Sequence, residues 1–242
     1  MPIRGWYTQY SKLLKDFGYS RSDDTNAARI LDGIIKKPIS ENRIRRLIFG
    51  KTVIVIGAGP SLGQTILASR RLPVTKIVAD SAVKTVLKTG IIPDIVVTDL
   101  DGDLASLQKA DDLGSLMLVH AHGDNVKTLP IAKKFVNVMA TTQGRPVGHV
   151  RNYGGFTDGD RCVFLAESFG AEKIILFGMD LGRRIGIHSS TARKDMQTKM
   201  AKLRRAKILL EWLAERSKSR LYTTSSRIRG FENIRYDRLD FA

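Results

Sequence analysis

From about Lys51 onward the hydrophobic residues fall into short, nearly unbroken runs: TVIVIG (52–57), KIVAD (76–80), DIVVTD (94–99), LMLVHAH (116–122), FVNVMA (135–140) and KIILFGMD (173–180). Most of these runs are rich in β-branched residues, and each ends in a Gly- or Asp-rich turn. Between most of them lie stretches with helical spacing. Fully apolar strands that alternate with helices predict a parallel sheet covered on both faces, with right-handed crossovers. The first fifty residues read differently. Trp6, Tyr10, Leu13, Leu14 and Phe17 recur at helical spacing before Gly18. A second helix is expected from about Ser22 to Ile35. A third follows Pro38, capped by Ser40 and carrying Ile44, Leu47 and Ile48. A further long helix is expected after the polar stretch 182–195, running to about Glu215.

The predicted fold class is therefore α/β: a Rossmann-like, open, mostly parallel sheet of about six strands with helices on both faces, plus a small N-terminal helical cap. The expected organisation is a helical cap over residues 1–50, an α/β domain over 51–217, and a basic tail over 218–242 packed on that domain. In such sheets ligands bind beyond the carboxyl ends of the strands. The polar motifs of this chain cluster there.

Composition narrows the class. A chain of 242 residues with 43% hydrophobic and 26% charged positions can fold without staples. Its one cysteine, Cys162, excludes a disulfide scaffold and fits a reducing compartment. No apolar run approaches the ~20 residues of a spanning helix, and the N-terminus lacks the apolar core of a signal peptide. A cytoplasmic location without membrane attachment is expected. The net charge is +16, distributed as +5 over 1–50, +1 over 51–182 and +10 over 183–242. Basic flanks around a neutral middle suit nucleic acid, a membrane surface, phosphorylated ligands, or plain solubility.

The first predicted strand runs into Gly57-Ala58-Gly59-Pro60-Ser61-Leu62-Gly63, where glycines allow close approach to an anion at a helix start. The spacing departs from the dinucleotide fingerprint, since Leu62 stands at the third glycine position, and no P-loop Lys follows. Asp80, 23 residues beyond Gly57, stands where a ribose-binding acid would sit, so a nicotinamide cofactor stays open at this point. Asp99, Asp101 and Asp103 alternate through a turn containing Gly102; such acids suit Mg²⁺ shared with substrate phosphates, or the cap of a following helix. His120-Ala121-His122-Gly123-Asp124-Asn125 offers a carboxylate from Asp124 and a phosphate or substrate contact from His122. Zinc is the other reading, but no third His or Cys stands at familiar spacing. Gly154-Gly155-Phe156-Thr157-Asp158-Gly159-Asp160-Arg161 opens a helix that Thr157 or Asp158 could cap, with glycines permitting ligand approach. Gly178-Met179-Asp180-Leu181-Gly182 leads into Arg183, Arg184 and His188, cations able to neutralise a polyphosphate.

Taken in order, the motifs at 57–62, 92–103, 120–125, 154–161 and 178–182 resemble those of the archaeal 6-hydroxymethyl-7,8-dihydropterin pyrophosphokinases, over roughly residues 50–215. The stretch from Asp80 to Asp101 is also similar to the catalytic domain of thiamin pyrophosphokinases. The Gly-x-Gly-Pro-Ser element resembles one in motility accessory factor proteins and sialyltransferase-like folds, which supplies a sugar-nucleotide-dependent glycosyltransferase as the alternative. The first resemblance implies transfer of an intact diphosphate from ATP to the hydroxyl of a reduced pterin, with release of AMP, in folate or tetrahydromethanopterin synthesis. By resemblance, Asp99, Asp101 and Asp124 bind Mg²⁺. One departure stands out: Ser81 follows Asp80 where those relatives have Gly.

The expected catalytic residues are Asp101, His122 and Asp124, with Asp101 or His122 as general base. The expected ATP-binding residues are Gly57, Gly59, Pro60, Ser61, Asp80, Gly155, Thr157, Asp158, Asp180, Arg183 and Arg184, with Lys194 a further candidate for the phosphate clamp. ATP and a reduced pterin are the expected partners. Nucleic acid is not, because carboxylates concentrate where its backbone would lie. The oligomeric state stays open.

Overall fold

The computed structural model describes residues 1–70, 72–181 and 196–238. Eight strands form one sheet: β1 (Thr52–Ile56), β2 (Thr75–Ala79), β3 (Ile95–Thr98), β4 (Leu116–Ala121), β5 (Val138–Thr142), β6 (Lys173–Phe177), β7 (Arg220–Thr223) and β8 (Glu232–Asn233). Their order is β5-β4-β3-β2-β1-β6-β7-β8, and every neighbouring pair is parallel. The order reverses between β1 and β6, which makes that crevice the topological switch point. Among the described residues eight α-helices accompany the sheet: α1 (Trp6–Phe17), α2 (Arg21–Ile34), α3 (Glu41–Ile48), α4 (Leu62–Arg70), α5 (Val83–Lys88), α6 (Leu104–Asp112), α7 (Asp158–Ser168) and α8 (Met196–Ala214).

Strand residues alternate between two cores, as their period of two requires. Val53, Val55, Ile77, Val97 and Leu118 face α1, α3, α7 and α8. Ile54, Ile56, Val78, Val96 and Met117 face α2, α4, α5 and α6. Because both faces are covered, the strands need no polar side, and this is why they read as unbroken apolar runs. Residues 1–50 contribute to both layers, with Trp6, Tyr10 and Leu13 in the first core and Ala27, Ala28 and Leu31 in the second. The first two helices are also tied to the sheet's carboxyl edge. Asp24 accepts hydrogen bonds from the Tyr10 hydroxyl (2.7 Å), the Gln143 amide (2.8 Å) and the Gly123 N–H (2.9 Å).

Two boundaries and the strand count differ from the pattern-based expectation. β5 starts at Val138 rather than 135, because the N–H groups of Val136 and Asn137 are drawn to the Asp111 carboxylate (2.9 and 3.0 Å). β6 stops at Phe177, where Gly178 turns the chain with φ +61°. The sheet has eight strands, not six. The added β7 (RLYT) starts on an exposed Arg220 and alternates in burial, and β8 is two exposed residues, so neither presents the unbroken apolar run that marked the others. Among the described residues no helix is long and apolar enough to cross a membrane.

Candidate active site

Four carboxylates meet beyond the carboxyl ends of β2 and β3. Asp80 directly follows β2, Asp99 and Asp101 follow β3, and Asp158 is the first residue of α7. One oxygen from each lies within 4.8 Å of the others. The loop after β3 is built for this convergence. Leu100 has φ +69°, the only positive φ on a non-glycine residue among those described. A buried leucine held in the left-handed region stores of order 1–3 kcal/mol. A short relay holds it there: the Leu100 N–H donates to Thr98 Oγ1 (2.8 Å), and the Thr98 hydroxyl donates to Asp80 Oδ2. Gly102 completes the turn. A Cβ at that position would stand 1.7 Å from Asp80 Oδ1, so only glycine leaves room for the carboxylate.

Asp158 reaches the cluster because its neighbours take over the capping of α7. Asp160 accepts from the N–H groups of Phe156 (2.8 Å) and Thr157 (2.7 Å) and from the Thr157 hydroxyl. This leaves Asp158 to pair with Arg161 Nη1 at 3.0 Å and face the other acids. Asp103, by contrast, takes the capping role. It accepts from Ser106 N–H (2.9 Å), pairs with Lys84 (2.9 Å), and stays outside the cluster.

Crowding sets the protonation of the group. Burial, then the charges of Asp101 and Asp99, push Asp80 up to about 7, against the pull of Thr98 and Gly102. Desolvation and the Asp99 charge push Asp101 up to about 6, although its surface stays open to solvent. Burial and the neighbouring acids hold Asp158 well above the usual carboxylate range. Asp99 goes the other way: burial would raise it, but His122, Arg161 and Asp101 outweigh that and keep it well below. The Asp80 and Asp99 Oδ1 atoms are buried without a hydrogen-bond partner among the described residues. Four carboxylates with two orphaned oxygens fit a hard divalent cation, which takes oxygen ligands and offsets their repulsion.

The 120–125 segment supports Asp99 from the side. His122 Nε2 lies 3.5 Å from Asp99 Oδ2, while its Nδ1 accepts the Asp124 N–H (3.3 Å). In the neutral ring that assignment puts the proton on Nε2, facing Asp99. Asn125 ties the strand ends together. Its Nδ2 donates to the Asp99 carbonyl (2.8 Å) and the His120 carbonyl (2.7 Å), and its Oδ1 accepts the His122 N–H (3.0 Å). Nothing in the sequence marked Asn125 for that task. The Asp124 side chain is 59% exposed, 3.9 Å from His122 Nδ1, and does not join the four-acid group. His120 is buried beside Thr141 (3.2 Å), and burial with the Arg161 and His122 charges lowers it far below the usual range. Among the described residues the two histidines belong to no metal-binding group.

The glycine-rich loop after β1 is occupied by protein. A Cβ on Gly57 would stand 2.6 Å from Met179 Sδ, and one on Gly59 would stand 2.3 Å from Asp180 Oδ2. Asp180 accepts from the Ser61 N–H (2.8 Å) and hydroxyl (2.7 Å), at the start of α4. Gly155, with φ +91°, is required by the α7 backbone, since its Cβ would fall 2.6 Å from Arg161 Cα. Pro60 sits in the same turn as Gly59, and Thr157 caps α7. Asp80, expected as a ribose-binding acid, stands instead among the carboxylates. Arg183, Arg184, His188 and Lys194 lie outside the described residues.

A family model described as "6-hydroxymethylpterin diphosphokinase MptE-like" matches residues 26–186. A Pyrococcus furiosus protein named 6-hydroxymethyl-7,8-dihydropterin pyrophosphokinase is 40% identical over 223 residues, covering 89% of this chain and 96% of its own. Proteins of the same name from Methanocaldococcus jannaschii and Methanothermobacter thermautotrophicus are each 38% identical, covering 89% and 88% of this chain and 97% and 95% of theirs. Among solved structures, the MAf glycosyltransferase from Magnetospirillum magneticum AMB-1 aligns with a TM-score of 0.63 at 15% identity. That alignment covers 92% of this chain but only 39% of the glycosyltransferase, and the likeness is one of fold.

Proposed function

Because the chain belongs to the 6-hydroxymethylpterin diphosphokinase MptE-like family, we propose that it transfers a diphosphate group to the hydroxyl of 6-hydroxymethyl-7,8-dihydropterin, with ATP as donor and Mg²⁺ as cofactor. The chain is a diphosphotransferase, and the observation that best supports its chemistry is the four-acid cluster at the strand ends. Mg²⁺ bound there would neutralise the acids and draw charge from phosphate oxygens. Buried Asp80 and half-buried Asp99 and Asp158 are the candidates to hold it, with Asp101 on the open side.

The reaction needs the pterin hydroxyl oxygen to attack the β-phosphorus in line. The bond from that phosphorus to the oxygen bridging the α-phosphate breaks, and AMP leaves with that oxygen. Catalysis of this kind rests on positioning and charge neutralisation. The hydroxyl proton must go to a group that is ionised yet basic near neutrality. Asp101, exposed at the edge of the cluster where a substrate hydroxyl can reach it, is the candidate to accept it. His122 is suited to a different task, since its Nε2 faces Asp99 and helps keep that carboxylate ionised. ATP and the reduced pterin are the partners in this reading, and the cytoplasm is its setting.

Incubating the protein with ATP, MgCl₂ and 6-hydroxymethyl-7,8-dihydropterin, and separating the nucleotides, tests the proposal. AMP should form in equal amount to the pterin diphosphate, and EDTA should stop it. Formation of ADP, or no pterin-dependent AMP, would refute it. The glycosyltransferase alternative has only the likeness of fold behind it.

A further inference from the structure

The first turns of α8 run past the open side of the carboxylate cluster and bring two lysines with them. Lys199 and Lys202 are three residues apart and share a helix face. Both act on the Asp101 carboxylate, and Lys199 also on Asp158 and Asp99. The Lys202 ammonium is held over two aromatic rings, 5.7 Å from the centroid of Tyr19 and 6.0 Å from that of Phe156. Phe17 locks those rings in place, packing 5.8 Å from Tyr19 and 4.8 Å from Phe156. Phe17 and Tyr19 close the end of α1, and Phe156 precedes the Thr157–Asp158 start of α7. Three remote parts of the chain thus converge on one ammonium group at the edge of the acid cluster.

Neutralising the acids is one task the lysines could serve, but it does not explain this geometry. Arg161 already pairs with Asp158. Among the described residues no carboxylate lies within ion-pair distance of Lys202, whose ammonium rests on ring faces instead. A cation held by π-systems is positioned while its N–H groups stay available to an anion. The start of α4 cannot substitute, because Asp180 already fills that position.

We propose that Lys199 and Lys202 bind the phosphate oxygens of the nucleotide donor, and that Tyr19 and Phe156 position the Lys202 ammonium to do so. The inference rests on the diphosphotransferase reading and extends it to residues outside the sheet.

The test is titration of the full chain with Mg²⁺ and α,β-methylene ATP, which cannot be cleaved at the scissile bond, alongside steady-state kinetics. Lys199→Ala and Lys202→Ala should each weaken analogue binding by about ten-fold or more, the scale of a charge-assisted hydrogen bond. The KM for the pterin should stay within about two-fold. Lys202→Arg should keep most of the affinity. Tyr19→Leu should weaken the analogue, through loss of the held ammonium, without a matching effect on the pterin. Unchanged analogue binding in both alanine variants, with thermal melts showing intact folds, would overturn the proposal. So would a rise in pterin KM in place of lost nucleotide affinity. If the wild-type protein binds the analogue but forms no AMP with pterin, the activity reading fails, while the titration still decides the role of the lysines.

Discussion

Replacing Asp80 with asparagine should stabilise the metal-free protein at alkaline pH while removing its activity. Asp80 is 2% exposed, and burial and neighbouring acids raise it from 3.8 to about 7. An acid whose folded-state value lies above its unfolded value opposes folding once it must ionise. The penalty is absent below about pH 3.8, grows as pH rises, and levels off above about pH 7. With about 1.4 kcal/mol per unit, it reaches roughly 4 kcal/mol at pH 8 but less than half of that at pH 5. Asparagine keeps the shape and removes the charge. Any fixed penalty from fitting its amide against Gly102 is the same at both pH values and cancels in the difference. The stability of Asp80→Asn relative to wild type should therefore improve by roughly 2–3 kcal/mol between pH 5 and pH 8.

For a chain of this size that is roughly 5–10 °C in midpoint. The assay is denaturation followed by circular dichroism in EDTA at the two pH values. A variant-minus-wild-type difference that does not change with pH, within about 0.5 kcal/mol, would refute the reasoning. A second arm adds Mg²⁺ at pH 8. Binding to the folded state alone raises the midpoint by mass action, so wild type should gain stability and Asp80→Asn should gain clearly less. Equal gains would remove Asp80 from the metal site.

Two substitutions test the scaffold of the site. Gly102→Ala would put a Cβ 1.7 Å from Asp80 Oδ1, so the carboxylate must move; AMP formation should fall by about 100-fold or more, and the Mg²⁺-dependent rise in midpoint should disappear. Asn125→Asp faces a carboxylate toward the carbonyls of Asp99 and His120 in place of a donor; urea denaturation should show a loss of about 2–4 kcal/mol, and a loss below about 0.5 kcal/mol would mean that this bridge does not hold the strand ends.

What the sequence disclosed follows from how local each signal was. The first six strands were legible because burial on both faces leaves nearly unbroken apolar runs. Asp99 and Asp101 were legible because two residues and a turn define their pairing. Asp158 was visible only as a binding or capping residue, since its place among the acids depends on Asp160 taking the cap and on how α7 lies under β1–β3. The 120–125 motif misdirects in one respect. The chain makes a 3-10 turn over Gly123–Asn125 that leaves the Asp124 side chain exposed and folds the Asn125 amide inward. Sequence alone cannot say which of two adjacent polar residues such a turn exposes. Lys199 and Lys202 were hidden for another reason: they are two among the many cations beyond residue 182, and only the rings under Lys202 set it apart.

The glycine-rich loop shows how a familiar pattern can serve a different purpose. Gly57 and Gly59 lie at the switch point between β1 and β6, where a dinucleotide's phosphates would be sought first. Their missing side chains instead admit Met179 and Asp180, and the Asp180 carboxylate takes the amide and hydroxyl of Ser61 at the start of α4. A phosphate placed there would meet a carboxylate rather than a partial positive charge. The acid cluster lies one to two strands away, above β2 and β3, and carries more negative charge still. Binding a polyphosphate beside it requires positive charge from side chains or from a metal, because the backbone at the switch point is already committed. The near-neutral charge of residues 51–182 and the excess beyond them then have a common cause. The sheet supplies the carboxylates, and α8, within the basic stretch, supplies the ammonium groups that face them.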